Sequence, residues 1–573
     1  MRVEEGPAHR GMEHRKAAGE HHPGVDNRRM RVRSEVIAFF LGGFNQRAIR
    51  SMRARLPAGR DYTAWAVALF ATVLSVAAYL VTHRAGGVLL YPDAKSHLEI
   101  ARRVISSTSP GLAQLGNVWV PLPHLLMLPL IWSNALYHNG FAGSIVSMAA
   151  YVATAVLIYK TTLGLTARKI GGLTAAGVFA LNVDLLYMQS TPMTESLLFC
   201  MIAATVYCVQ RWAQSDKYQY LVAGGVAGFF ATLTRYESWP IVACLLVAVV
   251  IIGWQRGYPL TPKLRWAGTR DRFIAFAVIS LAGIVGWLVW NWAIFGDPLD
   301  FQNGAYAKPA LWRSNDEPAI GHWAVAAKTY WYAMVENGTL PLLLLAAVGL
   351  VVFMAIEWRT RRGAGRSLPV LSLLVPAPFF VVALYTGQRP VHVPQINHDL
   401  YDVRFGLIML LPAAIFNGYL VASLRRVRHA PYAMGSLVLA LAVGLGGQLL
   451  EQHKVATYNE AAQWRSTVGA VNQQQVIRFL RAHYAGGQIL MESFGNEELA
   501  FVVPSSQLVY EGSYHQWLPA RQHPAASRIA WVIARCGSKP DRVCTSVTNA
   551  ALSGYKLVYR TGDRSYQVYR IRS

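Results

Sequence analysis

The chain has 573 residues, of which 53% are hydrophobic and only 15% are charged. Soluble proteins carry about 25% charged residues, so the composition excludes a wholly soluble protein. The net charge of +24 would suit a nucleic-acid-binding protein, but the basic residues concentrate in the first 60 residues and between apolar stretches. That placement is typical of cytoplasmic segments of membrane proteins, and we expect no nucleic-acid partner.

Residues 1–60 are polar, rich in Arg and His, and lack the apolar core of a cleavable signal peptide. We expect this segment to be a basic cytoplasmic tail that is partly disordered. Met30 and Met52 offer alternative translation starts within it.

Apolar stretches of about 20 residues, the length that crosses a bilayer, recur between residues 61 and 449. We predict a transmembrane domain over 61–449 with eleven spans. The predicted spans are 63–83, 140–159, 170–188, 195–212, 219–234, 239–254, 273–295, 338–356, 368–386, 404–422 and 431–449.

The segments that alternate with these spans on one side are all basic, which predicts that they face the cytoplasm. The last two of these segments carry Arg359, Arg361, Arg362, Arg366, Arg425, Arg426 and Arg428. The bias predicts a multi-pass plasma-membrane protein with a cytoplasmic N-terminus and an extracytoplasmic C-terminus. We expect the basic segments to face anionic membrane lipids.

Three long loops, at 84–139, 296–337 and 387–403, are expected on the opposite, outer side. Ionisable residues collect at this side, at the ends of the spans: Asp93, His97, Glu195, Arg235, Glu237, Asp297, His392, His398, Asp402 and Arg404. A transporter is expected to hold such groups near the middle of the bilayer. Their position at segment ends favours chemistry at the outer membrane surface.

The stretch YPDAKSHLEIARRV (91–104) follows the first span. Its apolar residues recur at helical spacing, which predicts an interfacial helix with Asp93 at the N-cap. In one interpretation Asp93 only caps this helix, and the arginines contact lipid phosphates. In the other, Asp93 is a general base toward a hydroxyl. His97 lies one helical turn from Asp93, so these two residues are also candidate ligands of a divalent metal.

The stretch QLGNVWVPLPHLLMLPL (114–130) predicts a second interfacial helix, in which His124 lines a pocket or lies at the membrane interface. Glu195, in TPMTES, falls in the first turn of the fourth span. There it complements the helix dipole, or it adds a second carboxylate on the side of Asp93.

Two arginines are candidate ligands of a phosphate, because Arg binds phosphate through two parallel hydrogen bonds. Arg235 lies in TRYESW between the fifth and sixth spans, and a local ion pair with Glu237 is the alternative. Arg404 lies with Asp402 in HDLYDVRFGLIMLLP, at the start of the tenth span.

Residues 450–573 predict a small soluble α/β domain outside the membrane. A helix is expected over 473–485, and strands within 486–494, 506–512, 528–535 and 555–571. Cys536 and Cys544 would pair in an oxidising compartment, or both would remain thiols.

The motifs PDAKSHLEIARRV, QLGNVWVPLPHLL, TPMTES, LTRYESW and YDVRFGLIMLLP together resemble the GT-C superfamily of integral-membrane glycosyltransferases. Within it they are similar to bacterial relatives of the dolichyl-phosphate-mannose–protein mannosyltransferases and the aminoarabinose transferases. The resemblance spans residues 63–449, and residues 450–573 resemble the extracytoplasmic domain of some members. It implies a GT-C-like α-helical polytopic membrane protein of about eleven transmembrane helices with a small C-terminal α/β extracytoplasmic domain.

The resemblance also implies a function, an inverting transfer of a hexosyl or mannosyl-like sugar from a polyprenyl-phosphate donor to an extracytoplasmic hydroxyl. Asp93 would be the catalytic base, and Arg235 and Arg404 would neutralise the leaving phosphate. His97, His124, Glu195, Glu237 and Asp402 would line the substrate pocket or hold an optional divalent metal.

Other interpretations stay open. Relatives that act on proteins carry two adjacent acidic residues where this chain has Asp93 and Ala94, so the acceptor is a glycan, a lipid or a protein. A lipid or polysaccharide transporter and a non-catalytic membrane scaffold are the alternatives to an enzyme.

Overall fold

The structure is a computed structural model that describes residues 61–311, 316–360, 364–424, 430–450, 455–548 and 550–572. The expected tail over 1–60 lies outside the described residues. So do five of the arginines expected on the cytoplasmic side, Arg361, Arg362, Arg425, Arg426 and Arg428.

Helices dominate the first 450 residues. In chain order they are α1 (Tyr62–Arg84), α2 (Pro92–Ser106), α3 (Leu122–Ile131), α4 (Asn134–His138), α5 (Phe141–Thr166), α6 (Lys169–Ala180), α7 (Val183–Gln189), α8 (Glu195–Ser215), α9 (Tyr218–Thr232), α10 (Ser238–Arg256), α11 (Pro262–Phe295), α12 (Asp300–Asn303), α13 (Trp323–Gly338), α14 (Leu340–Thr360), α15 (Ala364–Leu371), α16 (Pro376–Tyr385), α17 (Pro394–Asn397), α18 (Leu410–Ser423) and α19 (Ala430–Leu450).

The C-terminal part continues with α20 (Ala456–Arg465), α21 (Val468–His483), α22 (Glu497–Val502), α23 (Tyr514–Gln522) and α24 (Arg542–Ser546), and with strands β1 (Gln488–Leu490), β2 (Leu508–Val509), β3 (Ile529–Arg535), β4 (Tyr555–Arg560) and β5 (Tyr566–Ile571). Short 3-10 helices cover Leu112–Leu115, Pro309–Leu311, Ser372–Leu374, Val403–Met409 and Ser505–Gln507.

Eight helices of the described residues are long and apolar enough to cross a membrane, and nine spans result if one bent pair is counted as a single span. The protein is therefore a multi-pass α-helical membrane protein. Of the other predicted spans, the one over 219–234 corresponds to the 15-residue helix α9, and the one over 431–449 to α19.

The third predicted span is not a straight helix, which corrects the sequence-based expectation. Helices α6 and α7 are bent by 66° relative to each other. Asn182 stands at the bend, where its side chain accepts a hydrogen bond from Leu185 N and so caps α7. Its amide nitrogen also donates to the carbonyl of Asn337. Asn favours such a cap over a helix interior, and this preference explains the break.

Helix α18 lies at the centre of the membrane domain, and almost all of its residues are buried. Small residues bring its neighbours close. A Cβ atom on Gly418 would lie 2.2 Å from the carbonyl oxygen of Gly171 in α6, and one on Gly349 in α14 would lie 2.2 Å from that of Phe416. Such contacts between small residues hold helices together in a bilayer, where burial of apolar surface supplies no net drive.

The C-terminal part forms a five-stranded sheet in the order β2-β1-β3-β5-β4. β1 pairs in parallel with β2 and β3, and β5 pairs antiparallel with β3 and β4. Helix α21 packs on this sheet through Val476, Ile477 and Leu480. Cys536 and Cys544 form a disulfide. These features confirm the predicted small α/β unit.

This C-terminal unit packs directly onto α2. Lys95 forms an ion pair with Glu498 of α22, and the guanidinium of Arg103 lies 3.9 Å from the ring centroid of Tyr510. Lys95 and Arg103 are therefore buried under the C-terminal unit, and the expectation that both arginines of α2 contact lipid phosphates was wrong for Arg103. Arg102 instead donates to the carbonyl of Ile131 at the end of α3.

Candidate active site

Asp93 lies in the first turn of α2, at the end of the helix bundle that also carries Glu195 and Arg404; we call this end of the bundle the site end. The helix begins at Pro92, its N-cap is Tyr91, and no side chain caps it. The predicted N-cap role of Asp93 was therefore wrong, because proline occupies the first helical position and the helix starts two residues earlier than predicted. The carboxylate of Asp93 is free to point away from the helix.

Arg404 contacts carboxyl groups from distant parts of the chain. Its Nη2 lies 2.6 Å from Oδ2 of Asp93 and 2.6 Å from Oδ1 of Asp402. Its Nε lies 3.2 Å from Oε1 of Glu195, and its Nη1 lies 3.4 Å from Oε1 of Glu460. Four carboxylates thus surround one guanidinium. The side chain of Arg404 is 8% exposed, whereas that of Asp93 is 35% exposed, so Asp93 is the open member of this group.

The position of Arg404 follows from the packing of the 3-10 helix Val403–Met409. A Cβ atom on Gly406 would lie 2.3 Å from the carbonyl oxygen of Ala333 in α13, so only glycine allows this approach. Asn337 of α13 donates to the carbonyl of Val403 at 2.7 Å. These contacts fix the turn that carries Arg404 against α13.

Glu195 extends the network to the second predicted arginine. Arg235 Nη1 lies 2.9 Å from Oε1 of Glu195 and donates to Oγ1 of Thr194 at 2.9 Å. Arg235 also binds Glu237 through two parallel hydrogen bonds, of 2.9 and 3.2 Å. The ion pair with Glu237, which the sequence offered as the alternative, is therefore present. Six predicted site residues lie in one network: Asp93, Glu195, Arg235, Glu237, Asp402 and Arg404.

Burial shifts the ionisation of the acidic groups in this network. It raises the pKa of Glu460 to about 8, against the opposing charge of Arg404, and it raises the pKa of Asp402 in the same way. Burial also raises the pKa of Glu237, but the charge of Arg235 outweighs this effect, and the pKa of Glu237 is lowered overall.

The two predicted histidines form a pair beside the network. Nδ1 of His97 lies 2.9 Å from Nε2 of His124, and the ring of His97 packs against Trp119. Burial lowers the pKa of His97 to about 3, with a further contribution from Arg235 and Arg404. Burial also lowers the pKa of His124 well below its usual value. Both rings are therefore neutral at pH 7, and one donates its N–H to the other.

The optional divalent metal was predicted to bind Asp93 and His97. Within the described part of the chain, no group of three or more His, Cys, Asp or Glu side chains is arranged as a metal site. His97 directs one ring nitrogen at His124, and Asp93 pairs with Arg404. A metal ligand set of Asp93 and His97 stays a prediction.

Sequence reasoning missed two residues near this network. Glu460 comes from α20, in the stretch YNEAAQ, whose acidic residue has no local signal that separates it from an ordinary surface glutamate. Arg389, in the third long loop, is half-buried and its charge acts on Glu237 and Asp402. Within the described residues Arg389 forms no ion pair of its own. Only the fold brings these two residues to the site.

Comparison with known proteins is consistent with this geometry. Residues 129–290 match the family described as dolichyl-phosphate-mannose-protein mannosyltransferase. No protein with a curated description matches the chain. The structure is similar to ArnT from Cupriavidus metallidurans bound to undecaprenyl phosphate, with 13% identity and a TM-score of 0.50, over 87% of this chain and 97% of that one.

A second solved structure has a lower TM-score. The archaeal oligosaccharyltransferase AglB from Archaeoglobus fulgidus, in complex with an inhibitory peptide and a dolichol-phosphate, aligns at 9% identity with a TM-score of 0.47. The alignment covers 88% of this chain and 80% of that one.

The chain shares the fold of the ArnT structure over 87% of its length, and residues 129–290 match the mannosyltransferase family. Both findings support the resemblance to the GT-C superfamily. The predicted fold class, an α-helical polytopic membrane protein with a small C-terminal α/β unit, is confirmed.

Proposed function

We propose that the protein is an inverting glycosyltransferase that moves a sugar from a polyprenyl-phosphate donor to a hydroxyl group of an acceptor outside the cell membrane. The observation that carries the proposal is the contact between Arg404 and the partly exposed carboxylate of Asp93. This contact supports a site in which Asp93 is the base and Arg404 is the cation that binds the phosphate.

In the proposed reaction Asp93 accepts the proton of the acceptor hydroxyl. The hydroxyl oxygen forms a bond to the anomeric carbon of the sugar while the bond from that carbon to the phosphate oxygen breaks. The polyprenyl phosphate leaves with the bonding electron pair and needs no proton. General-base catalysis of this kind contributes about 10²- to 10⁴-fold to a rate.

Arg404, Arg235 and Arg389 would stabilise the negative charge that develops on the leaving phosphate. Arg404 and Arg235 already hold carboxylates, so a phosphate would share or replace these partners. His97, His124, Glu195, Glu237 and Asp402 would shape the sugar pocket.

The location of the site also suits a lipid-linked donor. Asp93 follows the apolar helix α1, and Glu195 and Arg404 begin apolar helices. Their charged ends lie where a lipid phosphate would lie while its chain stays in the bilayer. The solved ArnT structure is described as bound to undecaprenyl phosphate. The basic segments at the opposite end of the bundle support a cytoplasmic N-terminus and an extracytoplasmic site in the plasma membrane.

The experiment is a transfer assay with the purified full-length protein in lipid nanodiscs. A panel of undecaprenyl-phosphate sugars is offered with glycan, lipid and peptide acceptors, and products are detected by mass spectrometry. The proposal predicts a product with inverted anomeric configuration from at least one donor. Binding of donors without any transfer would contradict it and favour a transporter or a scaffold.

A further inference from the structure

Helix α20 lies between the last helix of the membrane domain and the C-terminal sheet, and it reaches into the site. Its Glu460 is buried and contacts Arg404. We propose that Glu460 is a positioning residue for the sugar transfer, which makes α20 a structural part of the active site. This inference rests on the proposed function.

The carboxyl group of Glu460 binds the backbone of the turn that carries Arg404. Its Oε1 accepts a hydrogen bond from the backbone N–H of Asp402 at 2.8 Å, and its Oε2 accepts one from Val403 at 3.0 Å. These N–H groups stand at the start of the 3-10 helix Val403–Met409, where backbone donors lack partners within the helix. Glu460 therefore caps this helix from another part of the chain.

The capped turn contains a residue with a positive φ. Asp402 has φ of 50°, in the left-handed region, which Asp and Asn adopt more readily than other L-residues. Such a conformation persists where its surroundings hold it. The two backbone hydrogen bonds to Glu460 are part of those surroundings. By fixing the backbone of the turn, they orient the side chains of Asp402 and Arg404.

Helix α20 is itself fixed by residues near the site. Oδ1 of Asp184 in α7 accepts hydrogen bonds from the backbone N–H and the hydroxyl of Thr457, both at 2.8 Å. The hydroxyl of Tyr91 donates to the carbonyl of Thr457 at 2.8 Å. Tyr91 is the N-cap of α2, the helix of Asp93. Helix α20 thus connects the start of the Asp93 helix to the turn of Arg404.

The geometry of the guanidinium explains how Glu460 would act through Arg404. The guanidinium is planar and rigid, so a carboxyl oxygen that accepts a hydrogen bond from Nη1 also orients Nη2. Nη1 faces Glu460, and Nη2 faces Asp93 at 2.6 Å. Loss of Glu460 would leave the charge of Arg404 in place but relax its direction relative to Asp93. Misplacement of a group by about 1 Å costs roughly 100-fold in rate.

The test compares Glu460→Gln with the wild type in the nanodisc transfer assay, using the undecaprenyl-phosphate sugar that the wild type turns over. Gln463→Ala is the matched control, because Gln463 lies on the same helix and accepts from Leu400 N without touching the turn over 402–404. We expect kcat of Glu460→Gln to fall by about 10- to 100-fold with KM for the donor changed by less than about threefold. Gln463→Ala should stay within about twofold of the wild type.

A double-mutant cycle with Arg404→Gln separates positioning from a general structural role. If Glu460 acts through Arg404, then Glu460→Gln costs less than about twofold in the Arg404→Gln background. Independent, multiplied losses in the double variant would overturn the inference, and so would unchanged kcat in Glu460→Gln. If Glu460→Gln does not fold, Glu460→Asp takes its place in the same cycle. Absence of turnover in the wild type would instead overturn the proposed function, and this inference with it.

Discussion

The guanidinium Nη2 of Arg404 lies 2.6 Å from Oδ2 of Asp93, although 311 residues separate the two in the chain. This contact joins the helix after the first span to the turn before a central, almost wholly buried helix. Asp93, the proposed base, thereby lies beside a cation that three further carboxyl groups contact. The contact is the structural basis of the proposed reaction.

Replacement of Arg404 by Gln is expected to destabilise the folded protein as well as slow transfer. The change leaves four carboxyl groups facing one another without their shared cation. Removal of one partner from a buried ion pair costs about 3–5 kcal/mol. The apparent melting temperature in detergent should therefore fall by several degrees.

Arg270→Gln is the control for this measurement. Arg270 forms an exposed ion pair with Asp271, with side chains 59% and 57% exposed, and such pairs contribute little to stability. An equal loss of melting temperature in both variants would show that the network around Arg404 has no special role in stability.

Replacement of Arg389 by Ala is expected to weaken donor binding without unfolding the site. Arg389 has no ion pair among the described residues, so its removal leaves no carboxylate unpaired. A hydrogen bond to a charged group contributes about 1.5 kcal/mol, which corresponds to about tenfold in Kd. Binding of undecaprenyl phosphate to the protein in nanodiscs measures this effect, and an unchanged Kd would remove Arg389 from the phosphate site.

The third long loop contains a pH-sensitive contact. His392 lies between Asp399, whose Oδ1 is 2.9 Å from Nδ1, and Glu317, whose Oε2 is 3.1 Å from Nε2. Burial lowers the pKa of His392, but the two carboxylates outweigh it and raise the pKa overall. A raised pKa in the folded state means that the contact stabilises fully below the unfolded value of about 6.5. The stabilisation is lost as the pH rises through the folded value.

The corresponding measurement follows the apparent melting temperature between about pH 6 and about pH 9. The wild type should lose more stability over this interval than His392→Gln, which lacks the titrating group. Parallel pH profiles of the two proteins would contradict the assignment of this pH dependence to His392.

The sequence predicted those elements that a local pattern of residues determines. Apolar stretches of span length predicted most of the membrane helices, and the helical spacing after residue 91 predicted α2. Residues at span ends, such as Glu195, Arg235 and Arg404, were predicted on one side because topology alternates along the chain. Their meeting in one network follows from that alternation and the compact bundle.

Features that depend on contacts between residues far apart in the chain could not be predicted from the sequence. The break between α6 and α7 rests on Asn182, whose amide binds a carbonyl 155 residues away. The burial of Lys95 requires the C-terminal unit, whose Glu498 is 403 residues distant. Glu460 meets the backbone of Asp402 and Val403 only because α20 folds back onto the site. No local pattern encodes any of these three contacts.

The role of Asp93 is tested most directly by the turnover of Asp93→Asn, measured with the undecaprenyl-phosphate sugar that the wild type transfers. Asn keeps the shape of the side chain but cannot take up a proton from the acceptor hydroxyl. The account predicts that kcat falls by about 10²- to 10⁴-fold while the donor still binds with nearly wild-type affinity. Wild-type turnover by Asp93→Asn would contradict it.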